Sequence, residues 1–153
     1  MPLSFAQSRL WFLDQLEGAS PVYNIPLAYR LRGEIDTERL EWALRELVQR
    51  HEPLRTVFVN REGVPAQQIV EELEFQLELM ENVAGSSAEE LAAEEAAKPF
   101  DLSKDLMLRA KLARLGEKEH LLLLTLHHIA SDGWSIGVLV NELSLLYNQG
   151  KDA

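Results

Sequence analysis

The sequence predicts an α/β layered fold, a mixed β-sheet with helices packed on it. Two observations lead there. Stretches with apolar residues at helical spacing alternate along the chain with groups of strand-period stretches, the order expected of helices laid on a sheet. Residues 121–126, Leu-Leu-Leu-Leu-Thr-Leu, also form an apolar run without polar alternation, the mark of a strand covered on both faces. At 153 residues the chain is long enough for one domain with a real core, and no internal repeat or linker divides it.

Taken in order, residues 4–17 have helical spacing, with Ala6, Leu10 and Leu13 on one stripe and Phe5, Phe12 and Leu16 beside it. Ser4 is the N-cap and Gly18 ends the pattern. A loop broken by Pro21 and Asn24 leads to a half-buried strand at 25–32, where Leu27, Tyr29 and Leu31 alternate with Ala28, Arg30 and Arg32. Asp36 caps a second helix whose core stripe is Leu40, Ala43, Leu44, Leu47 and Val48, running to about His51 and closed by Pro53. Residues 54–59 and 64–70 read as strands of a hairpin around a turn at 60–63, and 75–80 as a further strand. Ser87 and Glu90 form a capping box for an alanine-rich helix that Pro99 stops. Two strands, 106–115 and 120–127, are joined at Gly116-Glu117-Lys118. The last helix carries Ile136, Leu139, Val140, Leu143 and Tyr147 on one face and ends at Gly150.

Composition narrows the function. With 46% hydrophobic and 26% charged residues the chain is of ordinary globular make-up. The absence of cysteine excludes a disulfide scaffold and thiol catalysis and suits the reducing cytoplasm. A net charge of −10 argues against a nucleic-acid surface. No stretch is apolar for long enough to span a membrane, and the first residues lack a basic-then-apolar leader.

The candidate site lies where the apolar run 121–126 ends in His127-His128, followed by Ile129-Ala130-Ser131-Asp132-Gly133. Successive strand side chains point to opposite sides, so the two histidines cannot share one job: one faces the packed interior and the other a cavity at the strand end. An imidazole there is suited to general-base work near neutral pH. The same residues also fit a plainer reading, with Gly133 allowing a tight turn and Asp132 or Ser131 capping the next helix. A metal centre is disfavoured. The only other histidines are His51 and His120, and adjacent strand histidines diverge.

Three stretches in this order resemble one family. Ser4-Phe5-Ala6-Gln7-Ser8-Arg9-Leu10-Trp11-Phe12-Leu13-Asp14-Gln15-Leu16 resembles the opening motif of the condensation domains of nonribosomal peptide synthetases. Arg50-His51-Glu52-Pro53-Leu54-Arg55-Thr56-Val57-Phe58 resembles their second motif, and His127 to Gly133 their signature of two histidines, three variable residues and Asp-Gly. Tyr23-Asn24-Ile25-Pro26 and Pro99-Phe100-Asp101-Leu102-Ser103 also look like family text.

The resemblance implies a chloramphenicol-acetyltransferase-like fold and assigns residues 1–153 to the N-terminal subdomain of a condensation domain, without the C-terminal subdomain that completes the substrate tunnel. It implies peptide-bond formation by attack of an acceptor aminoacyl amine on a donor thioester. It implies that the chain itself binds no cofactor, that both substrates ride on the phosphopantetheine of donor and acceptor carrier proteins, and that adjacent synthetase domains are further partners. His128 is the residue implied at the reacting centre, with His127 turned inward as structural support. Asp132 is implied to pair with Arg55 and so fix the loop that holds His128, while Gly133 leaves room for the pantetheine arm. Trp134 is assigned to packing, Ser135 to the cap of the last helix, and Arg9 and Trp11 to packing of the first helix.

Other readings differ in what they require. Heterocyclising relatives replace the first signature histidine by aspartate, so His127 speaks against them. Epimerising relatives usually open differently. A stand-alone acyltransferase of the chloramphenicol-acetyltransferase superfamily would share the signature without the second motif. A non-catalytic fragment that folds and binds is the reading of another class, since the isolated chain is expected to be inactive and to self-associate through apolar surface left open. The wording of the motifs leans towards an L-configured donor.

Overall fold

In the computed structural model, which describes residues 2–17, 24–71, 75–80, 87–130 and 136–149, Ser4 opens the first helix, α1 (Phe5–Glu17). Its hydroxyl accepts from the Gln7 N–H at 3.1 Å while its own N–H donates to the Gln7 side chain at 2.8 Å, so two orphan donors of the helix start are satisfied reciprocally. The packed face of α1 departs from the expected stripe. Leu10 and Trp11 pack on the core, whereas Phe5, Phe12 and Leu16 are 91%, 57% and 68% exposed. These three recur at helical intervals and form one open apolar stripe.

The chain then forms β1 (Asn24–Arg32) and α2 (Thr37–Arg50). The Asp36 carboxylate caps α2 by accepting from the Arg39 N–H at 3.1 Å, and the expected five-residue stripe of α2 is buried. A 3₁₀ turn, Glu52–Arg55, with Pro53 in its first positions, takes the start of the expected strand at 54–59. The hairpin strands are β2 (Thr56–Arg61) and β3 (Val64–Ile69), joined through Glu62 and Gly63, both at positive φ (53° and 83°). Within the expected strand 75–80 only β4 (Glu78–Met80) pairs with a neighbour. Phe75 and Leu77 are buried as their alternation requires, but side chains of α2 satisfy their backbone: the Leu77 N–H bonds the Glu41 carboxylate at 2.9 Å, and the Phe75 carbonyl receives Arg45 at 3.0 Å. The remaining elements are α3 (Ala88–Ala96), capped by Ser87, then β5 (Leu108–Gly116), β6 (Glu119–His127) and α4 (Ile136–Gln149). Gly18, Pro21, Tyr23, Gly150 and residues 131–135, which include Ser131, Asp132, Gly133, Trp134 and Ser135, lie outside the described residues.

The main sheet has the order β1-β6-β5-β4, with β4 parallel to β5 and the other pairs antiparallel, a mixed sheet. Strand parity sorts its two faces. Leu122, Leu124 and Leu126 of β6, with Leu108, Ala110 and Leu112 of β5 and Ile25 to Leu31 of β1 at alternate positions, join the core under α2 and α4. Leu121, Leu123 and Ala113 meet Leu91 of α3 on the other face. No helix among the described residues is long and apolar enough to cross a membrane.

Candidate active site

β6 delivers its last side chain, His127, to the α3 face, and the chain then turns through a 3₁₀ turn, His128–Ala130. The strand-end divergence places the two imidazoles in opposite environments: His127 is 2% exposed, His128 is exposed. The backbone N–H of His127 donates to the Met107 carbonyl at 3.3 Å, and its Nδ1 accepts from the Ile129 N–H at 3.0 Å. The ring meets Phe100 edge-on, with centroids 5.7 Å apart and planes at 89°. Burial, reinforced by the charge of His128, pushes the His127 pKa down to about 4. The ring is therefore neutral near pH 7, and the Ile129 hydrogen bond leaves its proton on Nε2.

This fixed ring is the floor of the turn that presents His128. Helix α1 packs against the same turn, and Leu10 and Trp11 join the core that holds Ile129 and Ala130. The exposed imidazole thus stands on the turn that follows β6, beside the helix of the opening motif. A cleft of about 270 Å³ between β1 and α4, lined by Tyr29, Leu124, Leu143 and Tyr147 among others, does not include the histidine turn.

Arg55 closes the 3₁₀ turn of the second motif. Its Nε donates to the Gln49 carbonyl at 3.2 Å and its Nη1 to the Val70 carbonyl at 3.1 Å, joining the end of α2 to the end of the hairpin. Its expected partner Asp132, and Gly133, lie outside the described residues. Three further contributors carry no role in the sequence reading. Phe100 stands in a quoted motif, but nothing there tells that it meets His127. Arg109 stacks on Phe100 with its guanidinium 4.3 Å from the ring centroid, and Glu95 gathers the cations of that face. Burial alone would raise the Glu95 carboxyl, yet the hydrogen bonds and charges of Lys111 and Lys98 outweigh it and hold it below the usual carboxylate range. Among the described residues no group of three or more His, Cys, Asp or Glu side chains could hold a metal ion.

The family profile described as Condensation domain matches residues 1–153. The chain belongs to the condensation-domain family. It is 50% identical over 153 residues to one of the linear gramicidin synthase proteins of Brevibacillus parabrevis, covering 96% of this chain and 3% of that protein. It is 48% identical over 147 residues to "Probable non-canonical nonribosomal peptide synthetase (NRPS) CymA" of Salinispora arenicola, covering 96% of this chain and 2% of that protein. The starter condensation domain of a rhizomide synthetase superposes with a TM-score of 0.82 at 23% identity, over 95% of this chain and 36% of that one. The α/β, chloramphenicol-acetyltransferase-like fold of condensation domains is the fold observed here. The chain spans about a third of the solved condensation-domain chain and a few per cent of the synthetases it matches.

Proposed function

We propose that residues 1–153 are the N-terminal subdomain of a nonribosomal peptide synthetase condensation domain and carry its reacting histidine, His128. The observation that carries this reading is the pairing of an exposed His128 with a buried, neutral His127 at the end of a doubly covered strand. The donor is an acyl or peptidyl thioester and the acceptor an aminoacyl thioester, each on the phosphopantetheine arm of a peptidyl carrier protein. The acceptor amine attacks the donor carbonyl, the C–N bond forms, and the C–S bond breaks to release the donor carrier's thiolate. An α-amine has a pKa of roughly 8, so a useful neutral fraction exists near pH 7. The proton it loses passes to the His128 imidazole and from there to the departing thiolate.

His127 holds the turn, and Asp132 pairs with Arg55 to hold the loop beyond it, a pair whose rupture would cost about 3–5 kcal/mol if buried. Gly133 keeps space for the pantetheine arm. The open stripe Phe5, Phe12 and Leu16 is a surface for the C-terminal subdomain, which would complete the tunnel and without which the chain does not turn over. The reading places the protein in the cytoplasm, working with adjacent synthetase domains.

The test is intact-mass detection of a dipeptidyl carrier protein from two aminoacyl-loaded carriers. The chain is assayed alone, with the C-terminal subdomain added, and with His128→Ala in the completed reaction. Product only on completion, and lost with His128→Ala, is the expected result. Product from the chain alone would overturn the need for the second subdomain. Product with His128→Ala would overturn the role of His128.

A further inference from the structure

Arg109 lies on the α3 face of β5, directly across from Thr125 of β6. Its guanidinium gathers the backbone of the segment that follows α3: Nη2 donates to the carbonyls of Glu95 at 3.2 Å and Lys98 at 2.7 Å, and Nη1 to that of Pro99 at 3.2 Å. A helix end leaves such carbonyls without intrahelical partners, and a planar fork is suited to collecting several at once. Asn24 works from the other side. It stands opposite His127 in the β1–β6 register, and its Nδ2 donates to the carbonyls of Ala96 at 3.1 Å and Lys98 at 2.7 Å. The strands flanking β6 on both sides therefore hold one short segment, and the next residue of that segment is Phe100.

Phe100 is 1% exposed, with the Arg109 guanidinium over its face and the His127 ring at right angles to it. His127 in turn receives the Ile129 N–H and so fixes the turn that begins with His128. We propose that Arg109 is a positioning residue for the reacting histidine: by clamping residues 95–100 and stacking on Phe100, it sets the His127 ring and, through the His127–Ile129 hydrogen bond, the place of His128. The inference rests on the role given to His128 above.

A lysine at 109 keeps the charge but cannot fork to three carbonyls, and a leucine at 100 fills the volume without an aromatic face or edge. Arg109→Lys, Phe100→Leu and the double variant are made in the condensation domain completed with its second subdomain, beside His128→Ala. We expect each single variant to lower kcat about tenfold, with KM for both carriers within about twofold and the folded fraction by near-ultraviolet circular dichroism unchanged. The double variant should fall well short of the product of the two losses, because both act through one ring stack. The ¹⁵N signals of the His127 imidazole should shift in both single variants. A wild-type kcat in both, or a loss that only follows the folded fraction with the His127 signals unmoved, would overturn the proposal. Full turnover by His128→Ala would instead overturn the underlying reading of the site, and loss of turnover in His128→Ala beside an unaffected Arg109→Lys and Phe100→Leu would overturn the positioning role alone.

Discussion

His51 and Glu142 meet across the α2–α4 interface, with Nε2 and Oε2 2.5 Å apart. His51 is also the C-cap of α2, its backbone N–H donating to the Leu47 carbonyl, and Glu142 stands midway along the helix that follows the signature in the sequence. The second motif and the helix beyond the signature are thereby joined by one side-chain contact.

Because both groups are partly shielded, the contact should contribute about 1 kcal/mol. His51→Ala and Glu142→Ala are each expected to lower the unfolding free energy by about that amount, and the double variant by less than their sum. A denaturant double-mutant cycle measures the coupling, and a value near zero would remove the contact from the stability of the fold.

The buried imidazole of His127 makes stability depend on pH in a defined window. Its pKa is about 4 in the folded chain, against about 6.5 in the unfolded one. Between those values the unfolded chain binds more protons, so the contribution is complete above about pH 6.5, falls as the pH drops, and levels off near 4. The difference is on the order of 3 kcal/mol. Urea midpoints measured across this range should show the slope. His127→Asn, whose side-chain oxygen can take the Ile129 N–H but does not titrate, should flatten it; an unchanged slope would assign the effect to another group.

Glu95 is 4% exposed and lies 2.9 Å from Lys111, 3.2 Å from Lys98 and 3.3 Å from Arg109. Glu95→Gln removes the charge that these cations share and should cost about 3 kcal/mol, mainly by leaving the shielded Lys111 short of compensation. Its lowered pKa contributes stability present above about pH 4.5 and lost as the pH falls through the folded value. Acid unfolding curves of the variant should therefore lack that contribution.

Ser4→Ala removes the acceptor for the Gln7 N–H and should cost about 1 kcal/mol, felt first at the start of α1. Amide hydrogen exchange reports it directly: Gln7 and its neighbours should lose protection while β6 keeps its own.

What the sequence made legible follows from what periodicity encodes. The α2 stripe and the alternation of β1 report which side faces inward, and both are found there. The uninterrupted leucines of β6 report cover on two faces, and α3 and α4 supply it from opposite sides. Residues 75–77 mark the limit, since alternation says which way a side chain points and not whether a strand or a side chain satisfies the backbone. In α1 the apolar residues run nearly round the helix, so their spacing could not tell that Leu10 and Trp11 pack while Phe12 and Leu16 stay open. The opposed exposure of His127 and His128 was readable from strand geometry. The Arg109–Phe100–His127 stack was not, because it depends on where the end of α3 crosses β5, a relation between residues far apart in the chain.

The sheet order carries a consequence for how the protein is made. β1 takes its place by pairing with β6, Asn24 opposite His127 and Arg32 opposite Glu119. Roughly a hundred residues separate the outer pair, which at about 5–20 residues per second of synthesis keeps β1 waiting on the ribosome for some seconds. Such long-range pairing also makes intrinsic folding slow. The strand that ends in His127 is thus the piece that closes the sheet, and a nascent chain stopped short of it would expose β1 as a bare edge open to the wrong neighbour.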